Sequence, residues 1–121
     1  MFNNKIGKIS YNNNKLRLVI NNEYNYDEFN SYVDKLREIY LNINKEFILE
    51  TDLTEVNIGW NSHNKYKKLI NLFSDNNQIA EKYLKNVTVI NCNKILIKIL
   101  EWIFYFHGMN HPIKFINSKK K

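Results

Sequence analysis

Three carboxylates lie at the end of an apolar, strand-like run within the segment 47-FILETDLTEVNIGWNSHNKYKKLI-70, at Glu50, Asp52 and Glu55. In α/β proteins the carboxyl ends of the strands usually hold the functional site. A strand places Glu50 and Asp52 on one face, where a carboxylate pair can bind magnesium or act as acid and base. However, no glycine-rich phosphate loop or third ligand follows. We therefore assign no catalytic residue and predict that Asp52 bonds the backbone of its own turn.

Ser62 stands at the start of the helical pattern that follows this turn. A phosphoryl group there would add a charge of about −1.5 to −2 at a helix N-terminus, where the helix dipole and free N–H groups favour it. Lys65, Lys67 and Lys68 follow within two turns and would attract the same group. The alternative is that Asn61 or Ser62 simply caps the helix.

The cysteine and histidine residues are weaker indications of a catalytic or metal-binding site. Cys92, the single cysteine, ends a strand just before a helix, but no arginine loop of phosphatase type follows it, so an inert thiol is expected. His107 and His111 are four residues apart, yet Gly108 and Pro112 argue against one continuous helix through both. We predict neither a metal nor a cofactor.

The segment from Asn93 to Gly108 predicts a helix that is more apolar than one sheet face requires. Its polar residues form one narrow stripe, and the surplus apolar surface includes Trp102, Phe104 and Phe106. That surface could line a lipid pocket, meet a membrane or bind a partner. It could equally be covered by the preceding helical region.

The remaining pattern predicts the elements that position these residues. KISY and KLRLVI form a hairpin around Asn12–Asn14, and a helix with one apolar stripe from Phe29 to Ile43 begins with a capping box at Asn25 and Glu28. A strand over 46–53, a helical region over 64–85 with a break at 74–77, the strand 87–92 and a last strand IKFIN complete the chain. The order ββαβαβαβ predicts an α/β domain with a mixed, mostly parallel five-stranded sheet and three packed helices.

Length and charge limit the function classes. The 121 residues suit a single domain over 1–118 with a basic tail over 119–121, and the net charge of +6 falls to near +3 without that tail. The N-terminus has no signal-peptide core, and the longest apolar run, 95–106, is too short to span a membrane, so we expect a cytoplasmic protein. Nucleic-acid binding is not expected, because arginine occurs only at 17 and 37.

The element order and the segment Asp52-Leu53-Thr54-Glu55-Val56 resemble the STAS domain, whose motif reads roughly hhhDhSGVxFhDSSG (h, apolar). Ser62 falls at the second serine of the D-S-S-G turn, which is phosphorylated in the bacterial anti-sigma-factor antagonists of that family. This chain departs from the motif at Trp60, Asn61 and His63. The resemblance implies a non-enzymatic regulatory or scaffolding module that binds another protein through Ser62, Trp60, Asn61, His63 and Asp52.

The stretch 83–116 is also similar to the C-terminal part of CRAL-TRIO lipid-transfer domains, in which a strand leads into an aromatic helix that gates a lipid pocket. Cys92-Asn93 stands where that family has Ala-Pro. This second resemblance implies a lipid-binding module, with Trp102, Phe104 and Phe106 facing the lipid and the lysine tail at an anionic membrane surface.

Overall fold

The computed structural model describes residues 2–21, 25–55, 62–91 and 113–116, and only the backbone of residues 62–67 and Ile70. Two antiparallel pairs lead into a parallel sheet that alternates with helices. The elements are β1 (Phe2–Asn4), β2 (Gly7–Asn12), β3 (Lys15–Ile20), α1 (Tyr26–Leu41), β4 (Phe47–Asp52), α2 (Ser62–Asp75), α3 (Asn77–Tyr83), β5 (Leu84–Ile90) and β6 (Ile113–Ile116).

The strands form one mixed sheet in the order β1-β2-β3-β4-β5-β6. β1 pairs antiparallel with β2, and β2 with β3, whereas β3 to β6 are parallel neighbours. The α/β class and the mixed sheet are therefore confirmed. The predicted number of five strands is wrong, because β1 adds a sixth.

β1 pairs with β2 across a two-residue turn, and contacts that are distant in sequence also hold it. The Asn4 amide donates to the Glu28 carbonyl oxygen at 3.0 Å, and the Lys5 N–H donates to the Glu28 carboxylate at 2.9 Å. Gly7 then begins β2 with φ of 157°, and a Cβ there would lie 1.8 Å from the Val19 carbonyl oxygen. A side chain at position 7 would therefore collide with β3.

Local signals set the hairpin and the first helix as predicted. Asn13 and Asn14 have φ of 51° and 60°, which are the positive values that a tight two-residue hairpin turn needs. The Asn25 side chain accepts from the Glu28 N–H at 3.0 Å and caps α1. The apolar stripe of α1 is buried at Phe29, Tyr32, Val33, Leu36 and Tyr40.

The predicted break in the second helical region separates α2 from α3 at Asn76, whose side-chain amide donates to the Leu72 carbonyl oxygen at 2.8 Å. The region ends earlier than predicted. Leu84 is the first residue of β5 and pairs with Phe47, because strand pairing at this point outweighs the helical spacing from Ala80. The predicted helix over 94–107, with Trp102, Phe104 and Phe106, lies outside the described residues, as do Cys92, His107 and His111.

The described helices contribute to one apolar layer on one face of the sheet. Leu16, Leu18, Leu49, Val87 and Val89 belong to the same buried cluster as the apolar residues of α1 and α2. Helices on one face are what right-handed crossovers between sequentially adjacent parallel strands are expected to give. No helix within the described part of the chain is long and apolar enough to cross a membrane.

The opposite surface of the sheet is called the outer face here. It consists of the side chains that alternate with the core positions: Lys8 and Ser10 on β2, Lys15, Arg17 and Val19 on β3, Ile48, Glu50 and Asp52 on β4, Asn86, Thr88 and Ile90 on β5, and Lys114 and Ile116 on β6.

Candidate functional site

Glu50 and Asp52 lie side by side on the outer face of β4, as the two-residue spacing predicts. Parallel pairing sets Arg17 of β3 directly beside Glu50 and Val19 beside Asp52. The Arg17 guanidinium is therefore within reach of both carboxylates.

Arg17 bridges the two acids. Its Nε donates to Glu50 Oε2 at 2.6 Å and its Nη2 donates to Asp52 Oδ2 at 3.1 Å. Lys15 adds a longer ion pair to Glu50 Oε1 at 3.4 Å. The carboxylates are largely shielded, with side-chain exposures of 16% for Glu50 and 20% for Asp52. A planar guanidinium that contacts two shielded carboxylates fixes both more firmly than an exposed lysine would.

The second oxygen of Asp52 organises the turn after β4. Asp52 Oδ1 accepts from the Thr54 backbone N–H at 2.9 Å and from the Thr54 hydroxyl at 2.5 Å. This is the turn-forming role predicted for Asp52. The Thr54 hydroxyl oxygen accepts in turn from the Asn91 side-chain amide at 2.7 Å.

Asn91 fixes the other end of this network. Its φ of 57° is left-handed, which asparagine tolerates better than most residues. Its backbone N–H donates to the Ile116 carbonyl oxygen at 2.7 Å, and the Leu53 N–H donates to the Ile90 carbonyl oxygen at 3.0 Å. We call the sequence of contacts Arg17–Asp52–Thr54–Asn91 the polar chain. It joins the middle of β3 to the carboxyl ends of β4 and β5, and through Asn91 it reaches β6.

Both carboxylates beside Arg17 are engaged in hydrogen bonds. Arg17 pairs with both carboxylates, and Asp52 also accepts the two bonds from Thr54. Within the described residues, no group of three or more His, Cys, Asp or Glu side chains is placed to hold a metal. The bonds from Thr54 to Asp52 fix the start of the turn after β4.

The structure describes the predicted switch region only in part. α2 begins at Ser62, so Ser62 and His63 occupy its first turn, while Trp60 and Asn61 lie outside the described residues. Lys68 is one of the lysines predicted to attract a phosphate at Ser62, and that prediction is untested. Its ammonium group bonds the Asn30 side-chain oxygen of α1 and lies 5.8 Å from the centre of the Tyr26 ring.

Three residues of the polar chain were not identified as site residues from the sequence: Arg17, Thr54 and Asn91. The alternation of KLRLVI places Arg17 on the polar face, but its contact with Glu50 depends on the register between β3 and β4. Asn91 has no local signal of this role, because its contact with Thr54 joins residues 37 positions apart.

No protein-family model matches the chain, and no curated protein matches it. The resemblances to STAS and CRAL-TRIO domains therefore stay predictions.

Proposed function

We propose that this chain is a non-enzymatic interaction module of STAS type, and that a protein partner contacts the turn after β4 and the first turn of α2. The observation that supports this most strongly is the polar chain, which holds the start of that turn in one shape. A preorganised surface loses less conformational entropy on binding than a mobile one.

The position of the turn also supports the proposal. It follows β4, which has strands on both sides, and it lies at the carboxyl end of the parallel strands, where α/β folds usually place their sites. Glu55 is exposed beside this turn and available for contact. Trp60 would supply the large aromatic anchor that protein interfaces favour.

Site-specific photo-crosslinking tests the proposed contact. Benzoylphenylalanine is placed at Glu55, beyond the carboxyl end of β4, or at the exposed Lys45, before its amino end, as the matched control. We expect one protein of the producing organism to crosslink from position 55 and not from position 45. Equal capture from both positions would show that the turn is not the contact surface.

The captured protein then allows a quantitative test. Trp60→Ala should weaken its binding by at least about tenfold if Trp60 is an anchor, and Ser62→Asp should change the affinity through added charge. Unchanged affinity in both variants would contradict the proposal. Native mass spectrometry of gently purified protein distinguishes the alternative, since a co-purifying lipid would favour the CRAL-TRIO-like reading with Trp102, Phe104 and Phe106 facing the lipid.

A further inference from the structure

The outer face has an unbalanced positive charge. It presents four basic side chains and two carboxylates, and those carboxylates are paired with Arg17 and Lys15. Lys8 and Lys114 are exposed, and within the described residues neither has a carboxylate at ion-pair distance. The excess of positive charge is therefore at the two sides of the face, and the neutralised acids are at its centre.

The distance between these two lysines is set by the sheet. Lys8 lies on β2 and Lys114 on β6, four strand spacings apart, which corresponds to about 19 Å at roughly 4.8 Å per strand. Between them lie the half-buried side chains of Val19, Thr88 and Ile90. The same central area holds the paired charges of Arg17, Glu50 and Asp52, so it has no net charge, and the unpaired positive charge lies at its two sides. This pattern is complementary to a partner that carries negative charge at its two ends and none in its middle.

We propose that the outer face binds an extended acidic segment of another protein, with one carboxylate at Lys8, another at Lys114 and an uncharged stretch between them. The inference concerns the outer face alone and does not depend on the contact proposed at the turn after β4. About six extended residues cover the distance at roughly 3.3 Å per residue.

The charge pattern favours a peptide over other anionic partners. A nucleic acid or an anionic membrane presents closely spaced negative charges, some of which would meet Glu50 and Asp52 at the centre of the face. A second copy of this chain presents the same positive excess, so face-to-face pairing would bring like charges together. A peptide can place its carboxylates at the two sides and keep its middle neutral.

A binding measurement by fluorescence anisotropy tests the proposal on the full chain. The probe is a labelled peptide with two glutamates at each end and a Val-Thr-Val-Thr middle, and the control peptide has the same composition with its glutamates in the middle. The double variant Lys8→Gln/Lys114→Gln is compared with Lys45→Gln/Lys82→Gln, which removes equal charge from exposed sites elsewhere. Circular dichroism checks that both variants stay folded.

The expected result is that the end-charged peptide binds the wild type at least about fivefold more tightly than the control peptide. Lys8→Gln/Lys114→Gln should remove that preference, and Lys45→Gln/Lys82→Gln should retain it. Equal weakening by both double variants would show attraction to net charge alone and would overturn the proposal. It would also be overturned if anionic vesicles or a single-stranded oligonucleotide bound more tightly through Lys8 and Lys114, or if sedimentation showed self-association that required these lysines.

Discussion

Arg17→Met should destabilise the fold by more than a surface ion pair would. The substitution keeps most of the side-chain length and removes the guanidinium from two shielded carboxylates, to which it donates at 2.6 and 3.1 Å. Exposed ion pairs contribute about 0–1 kcal/mol, whereas removal of one partner from a buried pair costs about 3–5 kcal/mol. Arg17 is itself 37% exposed, and Lys15 still pairs with Glu50, so we expect an intermediate loss of about 2 kcal/mol.

Urea unfolding measures this loss, and the chain offers a matched control. Arg37→Met removes an arginine paired at 2.9 Å with Asp34, whose side chain is 74% exposed, and should cost less than about 0.5 kcal/mol. In a double-mutant cycle, Asp52→Asn should cost clearly less in the Arg17→Met background than in the wild type. A loss for Arg17→Met no larger than that for Arg37→Met, or strict additivity with Asp52→Asn, would refute the bridging role.

Three further predictions concern the positions of single residues. Gly7→Ala should destabilise by at least about 3 kcal/mol in urea unfolding, because the added Cβ meets the Val19 carbonyl oxygen at 1.8 Å; a loss under about 1 kcal/mol would contradict this geometry. Asn25→Ala should cost about 1 kcal/mol through loss of the α1 cap, and Asn25→Ser should restore most of it. Burial raises the pKa of Tyr40 from 10.0 to about 12, so the protonated phenol is favoured in the folded state and stability should fall as the pH rises from 10 to 12. Tyr40→Phe should reduce this loss of folding free energy between pH 10 and 12 by up to about 2.5 kcal/mol. An unchanged dependence of stability on pH in the variant would contradict the prediction.

The parts of the fold that the sequence predicts correctly depend on local signals. The hairpin turn needs two residues that tolerate positive φ, and Asn13 and Asn14 supply them. The helix cap at Asn25 and the break at Asn76 likewise use side chains that bond the nearby backbone. These features require no knowledge of distant residues.

The errors arise where distant contacts decide the structure. β1 has three residues and no periodicity of its own; it pairs with β2 across a two-residue turn, and bonds to Glu28 of α1 also hold it. Leu84 fits the helical spacing, but it pairs with Phe47 at a register shift between β4 and β5. Long-range pairing commonly outweighs weak local propensity.

In the candidate site, too, local signals predict some features and distant contacts decide the others. The alternation of side chains along one strand is enough to predict that Glu50 and Asp52 share a face. The bridge from Arg17 requires the register of β3 against β4, and the contact between Asn91 and Thr54 requires that of β4 against β5. A sequence pattern within one strand specifies which face a residue occupies, but not which residue lies beside it.

The polar chain also limits what can cover the outer face. Arg17, Glu50 and Asp52 lie on the two middle strands of the sheet, so an apolar layer packed there would have to remove water from three charged groups at once. Desolvation of buried ion pairs costs several kcal/mol per ion unless every remaining hydrogen-bonding position is satisfied. A partner on this face would therefore have to supply polar groups at the centre and carboxylates at Lys8 and Lys114.

The affinity of such a partner should weaken as the salt concentration rises, since the two lysines are exposed and screened by mobile ions. An affinity that did not change with salt would indicate that the partner binds through apolar contacts alone, which the charged centre of the sheet does not favour.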